Sequence, residues 1–215
     1  MKIKNLNLDT LIEYVDRQLS VFCPDGRPCR TIVAQHIDEA LERLRICINS
    51  VRAWPSDEFD YLHSSQYAIF LYYLSNTIWN NTGGTEVPTK LFLLNKALNG
   101  IDCFYQIRMP QRFFIGHSVG VVLVNTQYSD YLVLYQGCTV GKSRGVAPVI
   151  EERTLLYPGT AIIGRSLVRA GSVISVGARV VNQDTAGESL VFEGADGKLS
   201  FKAGGNELFS EIFRI

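Results

Sequence analysis

An excess of charge of either sign is missing from this 215-residue sequence, in which 21 Lys and Arg stand against 21 Asp and Glu. With no basic surplus to displace counterions from a phosphate backbone, nucleic-acid binding is disfavoured as the main activity, and so is attraction to an anionic membrane. Long apolar runs are missing too. The longest, Tyr67 to Leu74 (YAIFLYYL), falls far short of the roughly 20 residues a bilayer-spanning helix needs. Charges at Lys2, Lys4 and Asp9 interrupt what would have to be the core of a signal peptide, so a cytosolic, cytoplasmic protein is expected. Cysteine is sparse and unpaired in pattern: Cys23, Cys29, Cys47, Cys103 and Cys138 are odd in number and form no CxxC. That suits buried, reduced thiols better than a disulfide framework or a zinc site. What is plentiful is apolar side chain, 47% of residues, enough for a substantial core.

The chain divides into halves of different period. Leu8, Leu11, Ile12, Val15 and Leu19 share one helical face, with Asp9 placed to cap the first turn, and the turn-rich CPDGRPC follows. Ile37, Ala40, Leu41, Leu44 and Ile48 repeat the stripe. A third helix, about His63 to Trp79, is apolar nearly all round, which implies burial between neighbours or at a subunit contact. A shorter fourth, around Lys90 to Leu98, closes at Asn99-Gly100, a pair suited to a left-handed cap. From about Ile101 Val, Ile, Gly, Ser and Thr dominate and no helical stripe can be drawn. An α-helical domain over 1–100 and a β domain over 101–215 are expected.

In the second half a six-residue period appears. Ile150, Leu156, Ile162, Val168, Ile174 and Val180 are all branched aliphatics. With Ile, Leu and Val at roughly a quarter of residues, six such matches arise by accident about once in 4,000. The fifth place of each hexad holds Thr154, Thr160, Ser166, Ser172, Ala178 and Asp184, mostly small, and Gly159, Gly171 and Gly177 take the fourth place, where a tight bend wants them. One inward aliphatic, one small residue and a glycine-tolerant corner describe a short strand plus a turn, and three such steps complete a coil. Ile115, Val121, Leu134 and Val140 extend the inward set, with the frame slipping between Gln127 and Val133. The solenoid then covers about 104–184, and the tail SLVFEGADGKLSFKAGG reads as a hairpin turning at Asp196-Gly197 over the open end of the coil.

This pattern resembles the hexapeptide-repeat acyltransferases, and the resemblance implies an α+β protein, an N-terminal α-helical domain followed by a left-handed parallel β-helix. That hand is an exception to the right-handed crossover rule. Helices before hexads, Asp102 fifteen residues ahead of His117, the following SVGVVLV, and LYQGCTVGKS (Leu134 to Ser143) are similar to the serine acetyltransferases in particular. LHSSQY, in the third helix, and the terminal Phe213-Arg214-Ile215, set beside that family's partner-binding tail, are fainter likenesses. The resemblance implies an acetyl-CoA-dependent O-acetyltransferase in which His117 is the general base and Asp102 fixes its tautomer. It also implies a CoA groove along Gly159, Thr160, Gly177 and Ala178, with Lys142, Ser143, Arg165 or Arg179 available to the cofactor's phosphates. A homotrimer with grooves shared between neighbours is implied as well, and the third helix could pair trimers. His36 and His63 are read as structural or solvent-facing. The scatter of the three histidines speaks against a metal site.

Two departures qualify the likeness. Serine acetyltransferases carry Arg-His-Pro after the Gly-Lys-Ser loop and an Asp just before the coil-edge His; here stand Val146-Ala147-Pro148 and Gly116. The charges that would hold an amino acid's carboxylate and amine are absent, and leaving those groups unpaired costs several kcal/mol. A neutral saccharide hydroxyl of a capsule, lipopolysaccharide or precursor is therefore the expected acceptor, with serine as the alternative. Phe104, Tyr105, Phe113 and Phe114 are candidates to stack on a sugar ring, or core residues.

Overall fold

The computed structural model describes residues 1–215. Four helices open the chain: α1 (Leu8–Phe22), α2 (Arg30–Ser50), α3 (Ser64–Thr82) and α4 (Glu86–Asn99). The cap of α1 is Asn7 rather than Asp9. Asn7 Oδ1 accepts the Thr10 N–H at 2.9 Å while Thr10 Oγ1 accepts the Asn7 N–H at 2.9 Å, a reciprocal closure of two otherwise free donors. Asp9 instead places its charge in the first turn, near the positive end of the helix. α3 is buried from Ser65 through Ile78 against α2 and α4 within the chain. Its all-round apolarity is thus used up internally and leaves no face for pairing trimers. α4 starts four residues earlier than its stripe suggested and ends, as expected, on a left-handed Gly100 with φ of 65°.

The second half is a parallel β-solenoid of three faces. The first face stacks Asp102–Cys103, Val122–Leu123, Thr139–Gly141, Ala161–Ile163 and Arg179–Val181 in register. The second stacks Phe113–Ile115, Leu132–Leu134, Leu155–Leu156, Ser172–Ile174 and Ser189–Glu193. Val149–Ile150 and Leu167–Val168 form the third, joined by a bridge from Tyr128 to Ile150. All six aliphatics of the hexad frame, Ile150 to Val180, are wholly buried, each worth about 1.5–3 kcal/mol of burial. At one corner Gly120, Gly137, Gly159 and Gly177 lie above one another with φ between 71° and 77°. A Cβ on Gly120 or Gly137 would only touch the backbone of the next corner glycine, at 3.4–3.5 Å, so it is the left-handed φ rather than lack of space that favours glycine in this ladder.

Register corrects one expectation. Leu123, not Val121, lies opposite Val140, because Val122 pairs Thr139 and Leu123 pairs Val140. Val121 is buried, but two places earlier, level with Cys138. The frame therefore slips before Tyr128, in the segment after Ile115, and not between Gln127 and Val133.

The expected hairpin is present, Ser189–Glu193 antiparallel to Leu199–Ala203, and its first strand also continues the second face. Beyond it lies α5 (Asn206–Ile212), which no sequence signal announced. Phe209 and Phe213 are fully buried. The Arg214 guanidinium donates to the carbonyls of Asn49, Val51, Arg52 and Trp54, at the end of α2 and in the turn that follows it. Phe213-Arg214 is thus spent inside the chain and not held out toward a partner. One continuous cluster of 50 buried apolar residues runs through both halves.

Candidate active site

His117 lies where the coil is interrupted. After Ile115 the next inward residue of the first face is Leu123, two positions later than a hexad allows, and the extra residues leave the coil as Gly116–Gly120. Two bonds pin this loop to the end of α4. The Ser118 hydroxyl donates to the Asn99 carbonyl at 2.6 Å, and the Gly120 N–H donates to the Gly100 carbonyl at 2.9 Å. His117 itself is exposed, and its ring makes no hydrogen bond within the chain. The Asp102 N–H donates to the Val121 carbonyl at 2.8 Å, which puts Asp102 beside the far end of the same loop. Its carboxylate, however, accepts from Lys96 Nζ at 2.6 Å, in a pair whose side chains are 51% and 34% exposed. The Asp102–His117 hydrogen bond that the family likeness implies is not formed here.

Gly116, next to His117, is dictated by its neighbour. A Cβ there would stand 2.5 Å from Tyr135 Cε1 and 2.6 Å from Cδ1, so the Tyr135 ring fills the space an acidic side chain would need. Tyr135 stacks on Tyr157 with centroids 5.7 Å apart and planes 8° from parallel, and meets Phe114 edge-on at 6.5 Å. Burial pushes the Tyr135 hydroxyl above its ordinary range, so at neutral pH it is a donor. Of the four aromatics singled out in the sequence, Tyr105 and Phe113 are core residues, Phe104 packs on Phe92 and Tyr105, and Phe114 alone reaches this group. Tyr135 and Tyr157 went unnoticed in the sequence. The signal was there: each directly follows an inward leucine, Leu134 and Leu156, in successive coils.

The second interruption carries Lys142 and Ser143. From Val140 to Ile150 the interval is ten residues, and the extra length folds into a two-residue hairpin. Ser143 and Val146 exchange both backbone bonds, at 2.9 and 3.0 Å, around Arg144 and Gly145, which have φ of 48° and 82°. Lys142 is exposed and unpaired. The groove residues divide. Gly159 and Gly177 are exposed, and a Cβ on Gly177 would meet nothing within 4 Å, so there is room beside that corner. Thr160 and Ala178 are buried, with the Thr160 hydroxyl donating to Cys138 Sγ at 3.3 Å, so only their backbone could line a groove. The Arg179 side chain is engaged by Glu193 through Nε and Nη2 at 2.8–3.1 Å, which also holds the Glu193 carboxyl below the usual range. The structure thus groups Gly116 and His117 with Asp102 at one interruption and Lys142 and Ser143 at the other.

A helical half, a three-faced solenoid of hexads and a histidine on an interrupted coil define a hexapeptide-repeat β-helix protein. The chain is 29% identical over 124 residues to a serine acetyltransferase of Synechococcus elongatus, covering 55% of this chain and 50% of the relative. It is 30% identical over 105 residues to a serine acetyltransferase of Bacillus licheniformis, covering 43% and 49%. Among solved structures, serine acetyltransferase from Vibrio cholerae superposes with a TM-score of 0.74 at 18% identity, over 96% of this chain and 84% of that one. The Brucella abortus enzyme gives 0.69 at 21%, over 91% and 84%. These likenesses match the helical half and parallel β-helix that the family resemblance implied. No family model matches, and the chain spans about half the length of the curated relatives it matches. In sequence over part of its length, and in fold over nearly all of it, the chain is similar to the serine acetyltransferases.

Proposed function

We propose that the chain is an acetyl-CoA-dependent O-acetyltransferase. The observation that carries this is its sequence likeness to serine acetyltransferases together with an exposed His117 on the loop where the hexads break. An aliphatic hydroxyl is hardly ionised at neutral pH, so its oxygen needs a base as it attacks the thioester carbonyl; imidazole suits that task. His117 takes the hydroxyl proton as the C–O bond forms, then returns it to the departing thiolate as the C–S bond breaks. Asp102 orients the imidazole and steadies its cation once Lys96 is displaced. Because that ion pair is in contact with solvent, Lys96 half-exposed and Asp102 about one-third, its loss costs about 0–1 kcal/mol, little against a catalytic barrier. The acetyl donor's arm runs beside Gly159 and Gly177, past the backbone of Thr160 and Ala178, with Lys142 and Ser143 within the same site and the protein working as a homotrimer.

For the acceptor, the comparisons back serine over the saccharide expected from Gly116, Val146 and Ala147, since the relatives reported above are serine acetyltransferases. Serine O-acetylation is accordingly the leading reading. One observation favours a second: the Tyr135 ring stands where a carboxylate at position 116 would have to fit, so a neutral hydroxyl compound retains support as the acceptor. Thiol release from acetyl-CoA, with L-serine and with capsular or lipopolysaccharide sugars offered separately, tests both. Turnover on serine supports the first reading and turnover on sugars alone the second; release with neither removes the proposal.

A further inference from the structure

Most cations of this neutral chain stand in ion pairs or donate to carbonyl and amide oxygens. Arg108, Lys142, Arg144, Arg165 and Lys202 do neither, and three of these share one corner of the solenoid. There a pocket of about 570 Å³ is lined by Ser143, Arg144, Val146, Arg165 and Asn182, with Lys142 one residue from its wall. The hairpin sets the Arg144 side chain at its tip, and the next coil supplies Arg165. Asn182 Oδ1 accepts the Arg165 N–H at 3.0 Å, which orients the amide and leaves its NH2 group as a free donor. Crowding fixes the corner: a Cβ on Gly164 would collide with Asn182 Oδ1 at 2.3 Å and Ser143 Cβ at 2.8 Å. Every side-chain polar group left free on this wall is therefore able to donate, two of them are guanidinium forks, and no carboxylate stands within salt-bridge reach of either.

We propose that this pocket binds a phosphate group, as a monoester or diphosphate, through Arg144 and Arg165 with Ser143 and Asn182 as neutral donors. The site deepens the acetyltransferase reading in one respect, for the phosphates can belong to the CoA donor or to a phosphorylated acceptor. It also moves the expected phosphate contact away from Arg179, whose guanidinium is taken by Glu193.

Calorimetric titration of the full chain with inorganic pyrophosphate tests it. Saturable binding that weakens as salt rises is expected, with at least a tenfold loss in an Arg144→Gln/Arg165→Gln double variant and little change in Lys202→Gln, all three proteins melting alike. No binding by the parent protein, or equal binding by the double variant, overturns the proposal. CoA and a hexose phosphate, titrated in parallel, identify the source: whichever loses affinity in the double variant owns the phosphate. Acetyl-CoA turnover is measured apart from these titrations. A protein that binds pyrophosphate through Arg144 and Arg165 but never releases thiol would sink the acetyltransferase reading while leaving the pocket assigned.

Discussion

Between Ile150 and Val180 the inward residue returns every sixth position, whereas from Ile115 to Ile150 the intervals run eight, five, six, six and ten. The regular stretch has no residue to spare: each hexad supplies one strand step and one corner, and its small fifth-place side chains are buried under the turns. Extra residues in the earlier coils have nowhere to go but outward. The two long intervals hold the Gly116–Gly120 loop with His117 and the hairpin of Lys142 to Val146. Repetition here builds the support, and departures from repetition place the chemistry.

That contrast can be broken or sharpened by substitution. The largest effect on stability is expected in the regular stretch, where Ile174→Ala, at a fully buried position, costs about 2–5 kcal/mol. Denaturant unfolding reads this out, and a loss below 1 kcal/mol would mean the coil core is not where the hexads put it. Next comes Gly116→Asp, which forces the Tyr135 ring aside and costs about 1–3 kcal/mol. Adding Tyr135→Leu should recover most of the loss, and two independent, additive losses would show that the ring is not what excludes a side chain at position 116. The smallest effect belongs to Thr160→Val. Its hydroxyl meets only Cys138, so stability falls by about 1 kcal/mol and the KM for acetyl-CoA stays put; a several-fold rise in KM would restore the hydroxyl to the groove.

The sequence made the regular coils legible because period and burial coincide there. Ile150 to Val180 appear as a frame and are all buried, and Gly100 appears as a cap and is one. The slip was misplaced because Val121 and Leu123 are both aliphatic and both buried; only strand register distinguishes them. The cap of α1 was assigned to Asp9 because Asn7 and Thr10 work as a pair, and a single residue type does not announce a reciprocal bond. In the site, His117 and Asp102 could be found by spacing, but the Lys96 ammonium on Asp102 and the Glu193 carboxylate on Arg179 come from other elements. The docking of Phe213 and Arg214 onto the end of α2 joins residues more than 150 positions apart, with no local pattern to betray it.

The most direct test of the division between support and chemistry is acetyl-CoA thiol release by His117→Ala, measured beside its melting temperature. With the loop exposed and the coil core untouched, turnover should fall by about 10²–10⁴-fold, the usual worth of a positioned base, while the melting temperature holds. Undiminished turnover in a folded His117→Ala protein would contradict the account, for the interrupted coil would then not carry the base.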